Sequence, residues 1–179
     1  MPKTYTSLTV ANATAGNAIL ASDFSSLFTN SNNYRVPPMC RVYRSSDLTG
    51  YASNTAITWN AEDYDTDGMF TASSTDITIN TPGVFLVVLN IYWTASAGVT
   101  THNAVIAANG TPIQSKQSID VSATGGVVPQ TGVFSFPAGT VLTARAVYNG
   151  GSAYVIKGNA VANSDANSYI SVTWLGQVS

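Results

Sequence analysis

The chain has 179 residues, 45% of them hydrophobic and 9% charged, enough to bury one sizeable core and too few for two full domains. Its formal charge of -2 offers no basic patch to neutralise a row of phosphates, which argues against nucleic acid and anionic membranes as partners. Cys40 is the only cysteine and cannot close an intramolecular disulfide, so stability must come from burial.

Thr, Ser, Asn, Ala, Val and Gly outweigh the 7 basic and 9 acidic residues, a composition that suits strands and turns better than solvent-facing helices. After Met1-Pro2-Lys3 the chain continues Thr-Tyr-Thr-Ser rather than into an apolar run, so no secretory signal is expected. Leu8 and Val10 alternate with Ser7 and Thr9 as in a short strand. Ser22 then offers an N-cap, Asp23 suits the positive end of a helix dipole, and Phe24, Leu27 and Phe28 recur at helical spacing.

A helix of two or three turns is not stable alone in water, so these apolar residues must dock. Their own domain, a three-fold helical cluster and a groove on another protein are the choices. Leu8, Val10, Phe24, Leu27 and Phe28 are therefore the candidate anchor residues. Pro37-Pro38 forms an extended spacer, which divides the chain into an arm and linker over 1–38 and a head over 39–179.

From Met39 onward β-type runs alternate with turn signals such as Asp67-Gly68, Pro82-Gly83, Asn109-Gly110 and Ala138-Gly139, the rhythm of an all-β sandwich or jelly roll. Strands are predicted at 40–43, 56–59, 77–79, 84–93, 104–108, 132–136, 141–148 and 169–175. The run Val84-Phe85-Leu86-Val87-Val88-Leu89, continuing through Tyr92 and Trp93, is apolar on both faces, whereas a strand with one face in water alternates. At about 3.3 Å per residue it would extend roughly 33 Å, across a whole sandwich. One face fills the core, and the other is a candidate subunit interface.

Arg41-Val42-Tyr43-Arg44-Ser45-Ser46, Glu62-Asp63-Tyr64-Asp65-Thr66-Asp67-Gly68-Met69-Phe70 and Ile77-Thr78-Ile79-Asn80-Thr81-Pro82-Gly83-Val84-Phe85-Leu86-Val87 follow one another in an order that resembles the globular head of complement-q proteins and its phage relatives. Asn109-Gly110, Ala138-Gly139-Thr140-Val141-Leu142 and Trp174-Leu175-Gly176 fall where that family places its later strands. The resemblance covers about residues 39 to 176, and it departs from the family at Thr140 and Thr173, where an Asp and a Gly are usual. It implies a jelly roll of tumour-necrosis-factor type packed as a tight homotrimer. The Gly16 to Phe24 run is similar to N-terminal segments of phage appendage proteins.

Asp63-x-Asp65-x-Asp67-Gly68 matches the start of a calcium loop, but Ser74 holds its twelfth position and no helical pattern flanks it. A polar turn is the simpler reading, with calcium at Asp63, Asp65 and Asp67 the alternative and no other cofactor expected. Arg35, Arg41 and Arg44 cluster at the arm-to-head junction, where they could meet carboxylates of a neighbour or simply face water. His102 is the only histidine, and a Cys40–His102 pair has no local signature of a poised nucleophile, so no enzymatic activity is expected.

The functional expectation is a homotrimeric bacteriophage virion protein, made in the host cytoplasm and carried on the outer surface of a capsid or appendage by its arm. A capsid-decorating or short head-fibre role is favoured, because a long fibre would need repeats or heptads and the sequence has none. The alternative is a receptor-binding tip of a tail fibre or baseplate, with Tyr148 and Tyr154 on polar loops contacting host carbohydrate or protein.

Overall fold

A computed structural model describes residues 31, 35–95, 101–118, 126–149, 154–159 and 167–177. The strand expected at Leu8 and Val10 and the helix expected around Phe24, Leu27 and Phe28 lie outside these residues. Ten strands follow in order: β1 (Met39–Tyr43), β2 (Ala61–Asp65), β3 (Ile77–Thr78), β4 (Gly83–Ala95), β5 (Thr101–Ala108), β6 (Thr111–Ser118), β7 (Gly126–Phe136), β8 (Val141–Asn149), β9 (Tyr154–Ile156) and β10 (Tyr169–Gly176).

They make two antiparallel sheets, as a jelly-roll sandwich requires. The six-stranded sheet has the order β2-β1-β10-β4-β7 with β9 also paired to β4, and the four-stranded sheet has the order β3-β8-β5-β6. Large side chains of the first sheet, among them Phe85, Leu89, Ile91, Trp93, Ile170 and Trp174, project into the core. Opposite them the second sheet presents the small Ala104, Ala144 and Ala146 beside Ile106 and Leu142, so bulk on one sheet is matched by space on the other.

Local chemistry explains the joints. Asn109 and Gly110 both take positive φ, 49° and 81°, the conformation a two-residue hairpin between β5 and β6 demands. Gly83 opens β4 beneath the Trp174 indole, where a Cβ would collide with that ring and with the Gly176 carbonyl. Trp174 Nε1 donates to the Pro82 carbonyl at 3.3 Å, so the Pro-Gly pair seats the last aromatic of the chain. Along one edge of β4 the partner changes from β10 to β9, and the gap is bridged at Tyr92. There Ser168 Oγ accepts from its N–H at 3.0 Å and donates to its carbonyl at 2.9 Å.

Four expectations need correction. Residues 56–59 are not a ladder strand: Ala56 makes an isolated bridge to Arg145 and Ile57 donates to the Ala144 carbonyl, because Ile57 and Trp59 are drawn into the core. The acidic segment Ala61–Asp65 is a strand although its composition reads as a turn, being held by β1. The polar Thr111–Ser118 is likewise a strand, held by β5. Finally, Tyr154–Ile156 forms β9 inside the stretch expected to be a loop, held by pairing to β4. In the last three, tertiary pairing overrides weak local propensity.

Candidate assembly face

The two faces of β4 separate cleanly. Phe85, Val87, Leu89 and Trp93 point inward and are almost completely buried. Val84, Leu86, Val88 and Tyr92 point outward and are only half-buried, so the outer half of the doubly apolar run is the half that stands at the surface.

Ladder registers place neighbours beside them. Leu86 lies between Val133 of β7 and Thr173 of β10, with Met39 of β1 beyond. Val88 lies between Thr131 and Ser171, followed by Arg41 and Tyr64. Tyr92 adjoins Val127. A register shift between Trp174 and Gly176 leaves Leu175 as an extra residue opposite β4, and it is turned out to 53% exposure. Val133 at 59%, Val127 at 43% and Tyr64 at 36% share this side, so four of the five most exposed large hydrophobic residues among those described lie on one sheet face.

The end of the face formed by β2, β1 and the start of β10 is charged and aromatic. Asp63 is the extra residue of a second bulge, between the pairs Arg41–Tyr64 and Val42–Glu62. This turns its carboxylate onto Arg41 Nη1 at 2.8 Å, with the Asp63 side chain 4% exposed. The Arg41 guanidinium also lies 4.2 Å from the Tyr169 ring centroid, and the Tyr64 hydroxyl is 3.3 Å from Ser171 Oγ.

Both outer strands of this sheet resist strand addition. β2 carries acidic residues and its bulge. β7 has Pro129 in mid-strand, and Gln114 Nε2 donates to its Thr131 carbonyl at 3.1 Å. Association through this sheet would therefore use its face.

The other expected site residues are placed differently. Asp63 faces Arg41, whereas Asp65 accepts from the backbone N–H of Asp67 and of Phe70 at 3.1 and 2.9 Å, and Asp67 is fully buried. Only the Asp65 carboxylate closes the turn, Asp63 being paired with Arg41, and among the described residues no group of three acids, histidines or cysteines could hold a metal ion. Arg44 is buried and donates to the carbonyls of Ser46 and Thr58; burial lowers its pKa. Arg41 and Arg44 are therefore engaged within their own chain, and Arg35 is exposed.

Tyr154 is not on a ligand loop but in the core, with 1% exposure. Its ring stacks on Tyr148 at 4.3 Å and on Trp93 at 5.8 Å, its hydroxyl is 3.2 Å from His102 Nδ1, and burial raises its pKa far above the usual tyrosine range. Tyr148 is half-buried and donates to the Tyr51 carbonyl at 2.7 Å. Cys40 lies on β1, where burial, then the charges of Asp65 and Glu62, push its thiol pKa far up. Such a thiol is a poor nucleophile.

The sequence reading missed Val127, Val133, Leu175 and Tyr64. Period-two alternation through Tyr169, Ser171, Thr173 and Leu175 and through Val127 to Val133 was available as a signal; which side faced outward was not.

No family model and no curated protein matches the chain. Solved structures do. The globular domain of zebrafish complement 1qA aligns with a TM-score of 0.59 at 13% identity, covering 79% of this chain and 99% of that one. The Eiger tumour-necrosis factor of S. frugiperda aligns with a TM-score of 0.59 at 14% identity, covering 79% and 96%. Murine APRIL gives 0.56 at 12% identity, covering 77% and 98%. At these identities the likeness establishes the fold alone, a jelly roll of the complement-q and tumour-necrosis-factor type.

Proposed function

We propose that the protein is a non-catalytic structural module that assembles as a homotrimer through the outer face of its six-stranded sheet. The observation that carries this reading is the apolar band of Val84, Leu86, Val88, Tyr92, Val127, Val133 and Leu175 on a sheet whose inner side is already a complete core. Three copies would withdraw that band from water, and at about 25 cal/mol per Å² of apolar area such burial is the main available driving force. The Arg41–Asp63–Tyr169 group at its border would set register rather than affinity.

The setting we propose is the outer surface of a bacteriophage capsid or appendage, with residues 1–38 as the attachment. Support comes from the resemblance of the head to phage relatives of complement-q domains and of the Gly16 to Phe24 run to appendage segments. The receptor-tip alternative loses its footing at Tyr148 and Tyr154, which are spent on internal stacking. Sedimentation over a wide concentration range tests the assembly: a trimer mass at micromolar protein is expected, and a monodisperse monomer would overturn the reading. For the setting, particles made with and without the protein should differ in outer-surface density by cryo-EM. Deleting residues 1–30 should leave a folded trimer that no longer attaches.

A further inference from the structure

Half of one strand edge is closed by side chains instead of by another strand. β3 pairs only with Val141 and Leu142 of β8, and from Thr143 onward no strand lies on that side of β8 among the described residues. The segment 51–57 stands there instead. Ile57 N–H donates to the Ala144 carbonyl at 2.8 Å, and Asn54 N–H donates to the Ala146 carbonyl at 2.9 Å. Tyr51 Oη accepts from the Ala146 N–H at 3.0 Å, and Ser53 Oγ both accepts from the Tyr148 N–H and donates to its carbonyl, each at 3.0 Å.

A turn explains why hydroxyls are needed. Thr55 N–H closes onto the Ala52 carbonyl at 3.3 Å and Asn54 takes a φ of 65°, so the segment doubles back where a strand would offer alternate peptide groups. A hydroxyl donates and accepts at one atom, which lets it replace both peptide groups of a missing residue. Tyr51 is held in place for this. It is 5% exposed, its N–H donates to the Tyr154 carbonyl at 3.2 Å, and its carbonyl accepts from the Tyr148 hydroxyl at 2.7 Å.

Without those hydroxyls the Ala146 and Tyr148 N–H groups would form a bare edge, and such an edge takes up another strand. The same stretch of a second copy fits it by symmetry. With Ala146 on a two-fold axis, antiparallel pairing sets Ala144 of one copy against Tyr148 of the other, and each edge N–H meets a carbonyl. We infer that Tyr51 and Ser53 close the β8 edge to a second copy, so that association is confined to the face of the six-stranded sheet. Closure of the edge is a property of one chain; confinement to the face rests on the assembly proposed above.

The test adds Tyr51→Phe and Ser53→Ala together to full-length Val88→Asp, which removes face association, and compares the product with Val88→Asp alone. Sedimentation at rising protein concentration is expected to reach twice the parent's mass. Amide exchange at Ala146 and Tyr148 should be at least about tenfold faster than in the parent when dilute and slow again as the dimer forms, while exchange in β10 stays unchanged and reports an intact fold. Ser53→Ala alone, which keeps the buried Tyr51 hydroxyl, should show both changes to a smaller extent, and Ser53→Thr, which keeps both hydroxyls, should behave as the parent. A mass that stays at the parent's value, or edge amides that are fast at every concentration, would overturn closure of the edge. If Val88→Asp alone still forms trimers, the face reading fails, and the edge is judged as before by mass above the parent's.

Discussion

The two sheets turn very different outer faces to the surroundings, though their strands alternate with the same period. On the four-stranded sheet the outer row includes Thr101, Asn103, Thr143 and Arg145, and the two apolar members at its centre are covered: Val105 is 7% exposed and Ala107 is fully buried. Arg145 stands opposite Val105 on the same row, and its Nη2 donates to the Gly110 carbonyl at 3.2 Å. On the six-stranded sheet the corresponding row is Val84, Leu86, Val88 and Tyr92, flanked by Val127, Val133 and Leu175, and Arg41 lies over the Tyr169 ring at its border. One face is finished by the chain itself. The other is the face through which we propose that copies associate.

The largest expected effect comes from placing one charge on each face. Val88→Asp should weaken trimer association roughly a hundredfold or more, about 3 kcal/mol, because the carboxylate would be buried unpaired between copies. Thr143→Asp on the opposite sheet should leave the sedimentation profile unchanged, and equal effects from the two would remove the distinction between the faces.

Next is the ion pair at the border of the apolar band. Arg41→Ala strands a carboxylate whose side chain is 4% exposed, and a loss of about 2–4 kcal/mol in urea unfolding is expected. Asp63→Asn should cost clearly less, since it leaves no buried anion behind. Arg145→Ala, which uncovers part of the finished face, should cost about 1 kcal/mol by the same measurement and leave assembly intact.

The smallest effect lies between the faces, in the connection that braces β9. Desolvation tends to raise the Asp47 pKa, but the Gly158 N–H, Lys157 and Arg44 outweigh it and hold the carboxyl below its ordinary value. A lowered folded-state pKa means that the contribution is fully present above the unfolded value of about 3.9 and is lost as pH falls through the folded one. The melting temperatures of wild type and Asp47→Asn should therefore differ at pH 6 and converge once the pH has fallen through the folded-state value. A gap that persists into acid would mean that the carboxylate charge contributes nothing there.

By itself the sequence determined the all-β class, the hairpin at Asn109-Gly110, the long central strand and the fact that this strand is apolar on both sides. These are local matters: a two-residue turn with positive φ admits few residue types, and alternation along a strand needs no knowledge of its partners. Which side of the strand faced outward was decided only in three dimensions, because either set of alternate residues could have filled the core. The same holds for β2 and β9, whose polar residues become strands through their neighbours, and for Tyr154, drawn from an apparent loop into an aromatic stack. Asp63, Asp65 and Asp67 make the point most sharply. Their spacing allowed a common ligand beside the simpler polar turn, but a one-residue bulge sends the first to Arg41 while the second caps its own turn, and sequence spacing does not encode where a ladder slips.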